Sequence, residues 1–401
     1  MLNKLFNTNW VIALIIFPFL NPTVFKFIPQ TVLFYNAIQL IKALIIVFLL
    51  LSYILNGKFS KGFFLVSFFL FIMIATSVIN GAFDIELITD SLLIYGFYIL
   101  AEFGITINKD RFLLTSFVVC FILGLINFVL IILYPNGLME FATLYTQVAN
   151  PHYFLAIDNG MLKALCPLLV LALYYVFEDK KVSRNFFAFV AIVIIGLTLY
   201  LIKTSTGLLV YIIAILLYLF SHMIRKKIPS FLFLTIYAVF MITVVISGVK
   251  LQIVESITSL FGKSSTFTGR TVLWQCAIQL IEYSPLIGYG YGQATINVWG
   301  GEYSSHNLLL ELSLQGGIIL SGFFIVVIYL AFKHVKKLET RTQNIVIIGI
   351  ITLLLNGMME SGLNPFIFAL ISVCFIKDHK KNHIKNKRLF TNRGYLIAYE
   401  K

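Results

Sequence analysis

Two short polar clusters stand out from an apolar chain because their residue types can hold a phosphate and move a proton. They are Thr268-Gly269-Arg270 and Ser304-Ser305-His306-Asn307. An arginine opening a helix is suited to a bidentate grip on phosphate oxygens. The same residue also serves as an interfacial or ion-paired arginine. A histidine can take a hydroxyl proton at neutral pH, which makes His306 a candidate general base. At the start of a helix it can equally be a cap-like or interfacial residue. Spacing alone leaves both alternatives open.

The elements that position these clusters follow from composition. The chain has 401 residues, 60% hydrophobic and 12% charged, with 39 Phe. A soluble core of that size could not hide so much apolar surface, so lipid is the solvent for most of it. The expected fold is an all-α polytopic membrane protein, a single integral membrane domain over 1–401. About twelve spans are read at 10–27, 32–55, 62–80, 87–107, 112–134, 161–177, 186–202, 207–223, 231–249, 307–332, 345–359 and 363–376. The first is interrupted by Asn21-Pro22; with no small-residue cleavage site after it, it reads as an uncleaved helix. Leu363-Asn364-Pro365 separates the last two, which as one helix would be about 48 Å long and too long for the bilayer.

Charge placement sets the orientation. With the N-terminus inside, the expected cytoplasmic segments, including the basic tail 377–401, hold 23 of the 30 Lys and Arg residues. Every inner loop is then basic, as the positive-inside rule requires. Both termini are therefore read as cytoplasmic, and the net charge of +13 reports topology rather than a nucleic-acid partner. Lys26, Lys163, Lys203, Lys250, Lys263 and Arg270 fall on or near the outer face. Cations at span ends can snorkel to the interface, or together they can make a site for a polyanion beside the bilayer. Lys42 lies inside the second span, where an ionisable group usually faces a partner or a wet cavity; Asp90 and Glu102 are candidate partners. The four cysteines show no metal-ligand spacing.

One sizeable extracytoplasmic loop, 250–306, joins the ninth and tenth spans. Thr271–Tyr283 reads as a helix lying along the membrane surface, with Pro285 just past its end. Gly288, Gly290 and Gly292 follow. With no strand before them, and on the wrong side of the membrane for a dinucleotide, they indicate tight backbone packing.

The run TGRTVLWQCAIQLIEYSPLIGYGYG, followed by SSHNLLLELSLQGGII, resembles the signature of the O-antigen ligase and polymerase superfamily. The matching residues are Gly269-Arg270, Trp274, Pro285-Leu286-Ile287-Gly288-Tyr289-Gly290, His306-Asn307 and Gly316-Gly317. LIKTSTGLL, entering the eighth span, is similar to the family's upstream motif. That motif usually carries a Ser-Arg pair; here Thr204-Ser205 stand with Lys203 just before, where it can supply the missing charge. Strong matching covers roughly 60 residues, as far as the two motifs reach.

The resemblance implies a membrane glycosyltransferase working without metal, cofactor or nucleotide sugar. Its donors would be glycans on undecaprenyl pyrophosphate at the outer face of the bacterial cytoplasmic membrane. Arg270, Lys203 and Lys163 would bind the pyrophosphate, and Asn307, Ser205 and Trp274 would support the site. His306, or Glu302, Glu311 or Asp158, would take the acceptor's proton; a single base with in-line displacement predicts inversion. Tyr289, Tyr291, Trp299 and Tyr303 can stack on sugars or belong to an interfacial aromatic belt. A polymerase of O-antigen or capsular repeat units is the favoured reading, with a ligase moving the finished chain as its alternative. Expected partners are the glycan donor and acceptor, membrane lipid, a chain-length regulator and a flippase. A flippase for the same lipid-linked glycan is the rival from another class. Against it stand the absence of an internal repeat and the long outer loop.

Overall fold

The computed structural model describes residues 2–57, 59–142, 149–177, 182–246 and 269–376. Helices dominate. In chain order they are α1 (Leu2–Leu5), α2 (Asn9–Ile16), α3 (Val32–Asn56), α4 (Lys61–Ile79), α5 (Ile85–Leu133), α6 (Met161–Tyr175) and α7 (Val182–Leu201). Then come α8 (Ser205–Ile224), α9 (Ser230–Phe240), α10 (Arg270–Tyr283), α11 (Leu308–Val335), α12 (Thr340–Gly357) and α13 (Phe366–Phe375). Two small antiparallel hairpins, unforeseen in the sequence, pair β1 (Met139–Ala142) with β2 (Ala149–His152) and β3 (Ile296–Val298) with β4 (Gly301–Tyr303).

Among the described residues, six helices are long and apolar enough to cross a membrane: Pro29–Asn56, Lys61–Ile79, Ile85–Leu133, Val182–Leu201, Ser205–Ile224 and Leu308–Val335. The molecule is a polytopic membrane protein. At 49 residues, α5 contains two of the expected spans, and its backbone leaves helical geometry at Asn108, between them. Four further expected spans correspond to shorter helical pieces, α6, α9 (continued by a π-helix over Met241–Ile246), α12 and α13. The first span, expected as one helix over 10–27, is corrected. It is α2 followed by 3-10 turns at Phe17–Leu20 and Thr23–Lys26, because Pro18 and Pro22 lack the N–H an α-helix would use. Residues 250–268 of the outer loop, with Thr268, Lys250 and Lys263, and the basic tail 377–401 lie outside the described residues.

The short pieces and the long helices have different surroundings. The apolar side chains of α6, α12 and α13 are buried nearly all round by protein. By contrast α3, α7 and α8 expose Leu33, Leu44, Leu55, Phe186, Phe189, Phe220 and Met223, an apolar surface that in water would be prohibitive and in lipid is neutral. Short or broken helices at membrane depth are tolerated where protein surrounds them.

Two ends of the bundle can be traced through side-chain contacts. At one end Asn108 donates to Asn7 at 2.6 Å, and Arg111 hydrogen-bonds the Asn7 carbonyl. Lys109 and Arg341 both lie 5.4 Å from the ring centre of Tyr174. Asn344 there receives the Ile228 N–H and donates to the Lys226 carbonyl, both at 2.9 Å, while Lys227 donates to the Lys336 carbonyl. The basic turns are therefore gathered together. At the other end Thr23 donates to the Leu155 carbonyl, Tyr291 N–H donates to Ser77, and the Tyr291 hydroxyl donates to Asp90. The partner left open for Lys42 is Asp90, which lies within electrostatic reach. Glu102 is instead engaged by the hydroxyls of Tyr53 and Ser60 at 3.0 and 3.1 Å.

Candidate active site

The two polar clusters meet at the end of the bundle away from the basic turns, and a third element joins them. Gly269 precedes α10 with φ +82, and a Cβ there would sit 2.6 Å from the Trp299 ring. Only glycine accepts both the left-handed backbone and that contact. Arg270 is thereby set on the first turn of α10. Its Nη2 donates to Glu360 Oε1 at 2.7 Å, with both side chains 13% exposed. Glu360 lies in the non-helical segment between α12 and α13. Its other oxygen, Oε2, is 3.5 Å from His306 Nδ1.

Asn307 explains why His306 and Glu360 are neighbours. Fully buried, it caps α11 by accepting the N–H groups of Leu309 and Leu310 at 3.0 and 3.1 Å. Its Nδ2 donates to the Met358 carbonyl at 3.1 Å, tying the start of α11 to the end of α12. His306, one residue before the cap, adopts φ +47, an uncommon conformation for a side chain of its kind. Ser361 donates to Ser304 at 2.9 Å and closes the same junction. Lys163, at the start of α6, donates to the Gly362 carbonyl at 2.8 Å.

Burial opposes ionisation of Glu360, but the His306 contact and the charges of Arg270, His306 and Lys163 outweigh it and hold the carboxyl below its usual value. The cluster is thus one carboxylate facing three groups able to carry positive charge. An anion brought here would meet ready-made donors, and an imidazole stands beside them.

The other expected site residues divide. Trp274, one turn after Arg270, is buried with Leu273, Ala277, Leu310, Leu314 and Met358 and anchors α10 to α11 and α12. Of the alternative bases, Glu311 is occupied by the hydroxyl and N–H of Ser305, at 2.7 and 3.1 Å. Asp158 accepts the Asn159 N–H, and Glu302 is exposed on β4. Among the described contacts none joins Lys203 or Ser205 to the cluster; Lys203 is exposed in the turn between α7 and α8 with φ +56. Tyr289 donates to the Leu280 carbonyl and Tyr291 to Asp90, so both hydroxyls have structural partners. Trp299 and Tyr303 stand edge to face at the rim beside Gly269.

The Pro-Leu-Ile-Gly-Tyr-Gly run packs against the break in α11. At Gly316-Gly317 the backbone is non-helical, freeing carbonyls that an unbroken helix would use. Tyr289 N–H then donates to Leu314 at 2.7 Å, Gly290 N–H to Gln315 at 2.9 Å, and Ile318 N–H returns a bond to Pro285 at 2.8 Å. A Cβ on Gly317 would lie 1.9 Å from the Leu286 carbonyl oxygen. Two runs singled out separately in the sequence therefore form one joint that fixes the far end of α10. An apolar cavity of about 470 Å³, bordered by Phe19, Phe97, Pro167 and Phe366, contains none of the cluster residues and lies among the inner helices.

Glu360 escaped the sequence reading. Its signal was an acidic residue in a tight turn between two apolar runs, on the face where the cations Lys163 and Arg270 were expected.

The fold is a helical membrane bundle, and its cluster sets Arg270, His306 and Lys163 around one carboxylate. Comparison with known proteins is more specific. Residues 189–325, which include Lys203, Arg270 and His306, match the family described as O-antigen ligase. The exopolysaccharide production protein ExoQ of Rhizobium meliloti (strain 1021) is 31% identical over a segment covering 25% of this chain and 27% of that protein. The chain thus spans about a quarter of the length of the curated relative it matches. Over these segments the chain is similar to the O-antigen ligase family and to an exopolysaccharide production protein.

Proposed function

We propose that the protein is a polysaccharide polymerase at the outer face of a bacterial cytoplasmic membrane. It joins undecaprenyl-pyrophosphate-linked repeat units into O-antigen or capsular polysaccharide by metal-independent, inverting glycosyl transfer. The observation that carries this reading is the convergence of Arg270, Lys163 and His306 around Glu360, within and beside the segment matching the family.

The chemistry follows from these groups. The leaving group of a lipid-pyrophosphate donor is already a good one and needs neutralisation of charge more than protonation. Arg270 supplies a fork of N–H donors for it and Lys163 a nearby cation. His306 takes the proton of the acceptor hydroxyl. That oxygen attacks the anomeric carbon, the bond to pyrophosphate breaks, and the electron pair leaves with the lipid pyrophosphate. Attack from the face opposite the leaving group inverts the anomeric centre. In the same reading the chain crosses the membrane about twelve times. The gathered basic turns and both termini face the cytoplasm, and α10 lies along the outer surface; clustering of those turns at one end of the bundle supports this arrangement. Lys203 adds a third cation, reaching the donor from the exposed turn between α7 and α8 rather than through a contact with the cluster.

The role for which the relative is named, exopolysaccharide production, favours polymerisation. A second reading, transfer of the finished glycan to an acceptor, draws on the description O-antigen ligase. Purified protein in proteoliposomes, supplied with synthetic lipid-linked repeats, tests the proposal. The expected result is a ladder of longer lipid-linked chains, lost in Arg270→Ala and in His306→Ala. Transport of the repeat without elongation would point to a flippase, transfer only to a separate acceptor to a ligase. Full polymerisation by both variants would overturn the site.

A further inference from the structure

Resting on the reading above, we propose that Glu360 is a positioning residue for both halves of the transfer. Its carboxylate occupies the anion site on Arg270 until the donor pyrophosphate replaces it, and it then orients His306 as the base.

The geometry for such an exchange is present in one side chain. Oε1 is held by Arg270 at 2.7 Å, while Oε2 stands 3.5 Å from His306 Nδ1, just too far for a good hydrogen bond. The groups facing this carboxylate are Arg270 from α10, His306 from the entry to α11 and Lys163 from α6. A pyrophosphate carries more charge than a carboxylate and competes for the same guanidinium. Once Arg270 is taken, His306 Nδ1 is the donor within a shift of under about 1 Å of hydrogen-bond distance. The surrounding backbone need not move. Asn307 holds Met358, Ser304 holds Ser361 and Lys163 holds Gly362, so Glu360 can pivot about a fixed Cα.

The exchange has a chemical consequence. A carboxylate that accepts a hydrogen bond from Nδ1–H fixes that tautomer and leaves the Nε2 lone pair free for the acceptor hydroxyl. As the glycosidic bond forms, the hydroxyl proton passes to Nε2 and the imidazolium is stabilised by Glu360. The carbon–oxygen bond to the pyrophosphate breaks with its electron pair, and the proton on Nε2 later returns to water. Donor arrival therefore switches on the base. In the empty site the same carboxylate shields the cation from other anions.

Glu360→Gln separates the two roles. It frees Arg270 from its counter-ion and removes the charge that orients His306. The expected result is a fall in kcat of about 100-fold or more, with a donor KM that drops rather than rises. Binding of undecaprenyl pyrophosphate alone should tighten by about tenfold, in line with removing a like charge beside the site. Glu360→Asp should recover part of kcat. A residue serving structure alone would raise KM and lower the yield of monodisperse protein together. If neither variant folds, 15N-histidine spectra of the wild-type protein with undecaprenyl pyrophosphate decide the matter. Protonation of His306 at Nδ1 supports the proposal, and protonation at Nε2 overturns it. Wild-type kcat in Glu360→Gln, or weaker lipid-pyrophosphate binding, also overturns it. If that happens while Arg270→Ala and His306→Ala are inactive, the positioning role alone falls. If those two variants remain active as well, the functional reading falls with it.

Discussion

Asn307 offers the sharpest test of how the site is held. Besides a long contact to the Met241 sulfur, truncation to Ala removes two stronger interactions from a side chain with no solvent exposure. The first is the cap on the Leu309 and Leu310 N–H groups, a contribution of about 1 kcal/mol. The second is the bridge to the Met358 carbonyl, whose loss leaves a buried acceptor unpaired at about 1–3 kcal/mol. Asn307→Ala should therefore destabilise the protein by about 2–4 kcal/mol. Asn307→Ser keeps a capping oxygen and loses the bridge, so it should fall between wild type and Ala. Unfolding in detergent micelles, followed by tryptophan fluorescence (Trp274 is buried in the adjoining core), measures the stability order. Polymerisation in proteoliposomes measures the site. The bridge places Glu360 against His306, so Ser should lose more activity than its stability loss explains. Equal stability of Ala and wild type, or full activity in Ser, would refute the reasoning.

Three further outcomes are expected. Gly317→Ala places a Cβ 1.9 Å from the Leu286 carbonyl at φ +66, a clash and a strained backbone together worth more than about 3 kcal/mol; gel filtration should show loss of monodisperse protein. Glu360 ionises more readily in the folded protein than its ordinary value of 4.5. Its contribution to stability is therefore present above that pH and lost as pH falls through the lower folded value; acid unfolding should show this loss in wild type and not in Glu360→Gln. Lys203 is exposed, so Lys203→Ala should change stability by less than about 0.5 kcal/mol. Any loss of turnover in that variant, measured beside its unchanged unfolding midpoint, would assign the side chain to substrate rather than to the fold.

Much of this protein could be read from its residues. Apolar runs marked α3, α4, α7, α8 and α11 because a lipid-facing helix must be apolar along its length, and length is visible in a sequence. The junction within α5 was also visible, since Asn108-Lys109-Asp110-Arg111 is too polar for a bilayer core. Arg270 and His306 could be singled out because few residue types hold phosphate or move protons, and the structure brings both to one carboxylate. Less legible was the first span, where two prolines convert an apolar run into helix and 3-10 turns. The β3–β4 hairpin was also missed, its strands being three residues each.

What the sequence alone determined was therefore the solvent, most of the helices and the two polar clusters, since each depends on local composition and periodicity. Only the tertiary structure decided that the clusters meet, and that they meet on Glu360. That acid is 90 residues from Arg270 and 54 from His306 by sequence number. It reaches them because a buried asparagine spans two helix ends and a Gly-Gly break seats the loop that follows α10. Hydrogen bonds between distant backbone segments leave no periodic trace in the chain. Arg270 and Lys163 were visible from the start; the carboxylate they share was not.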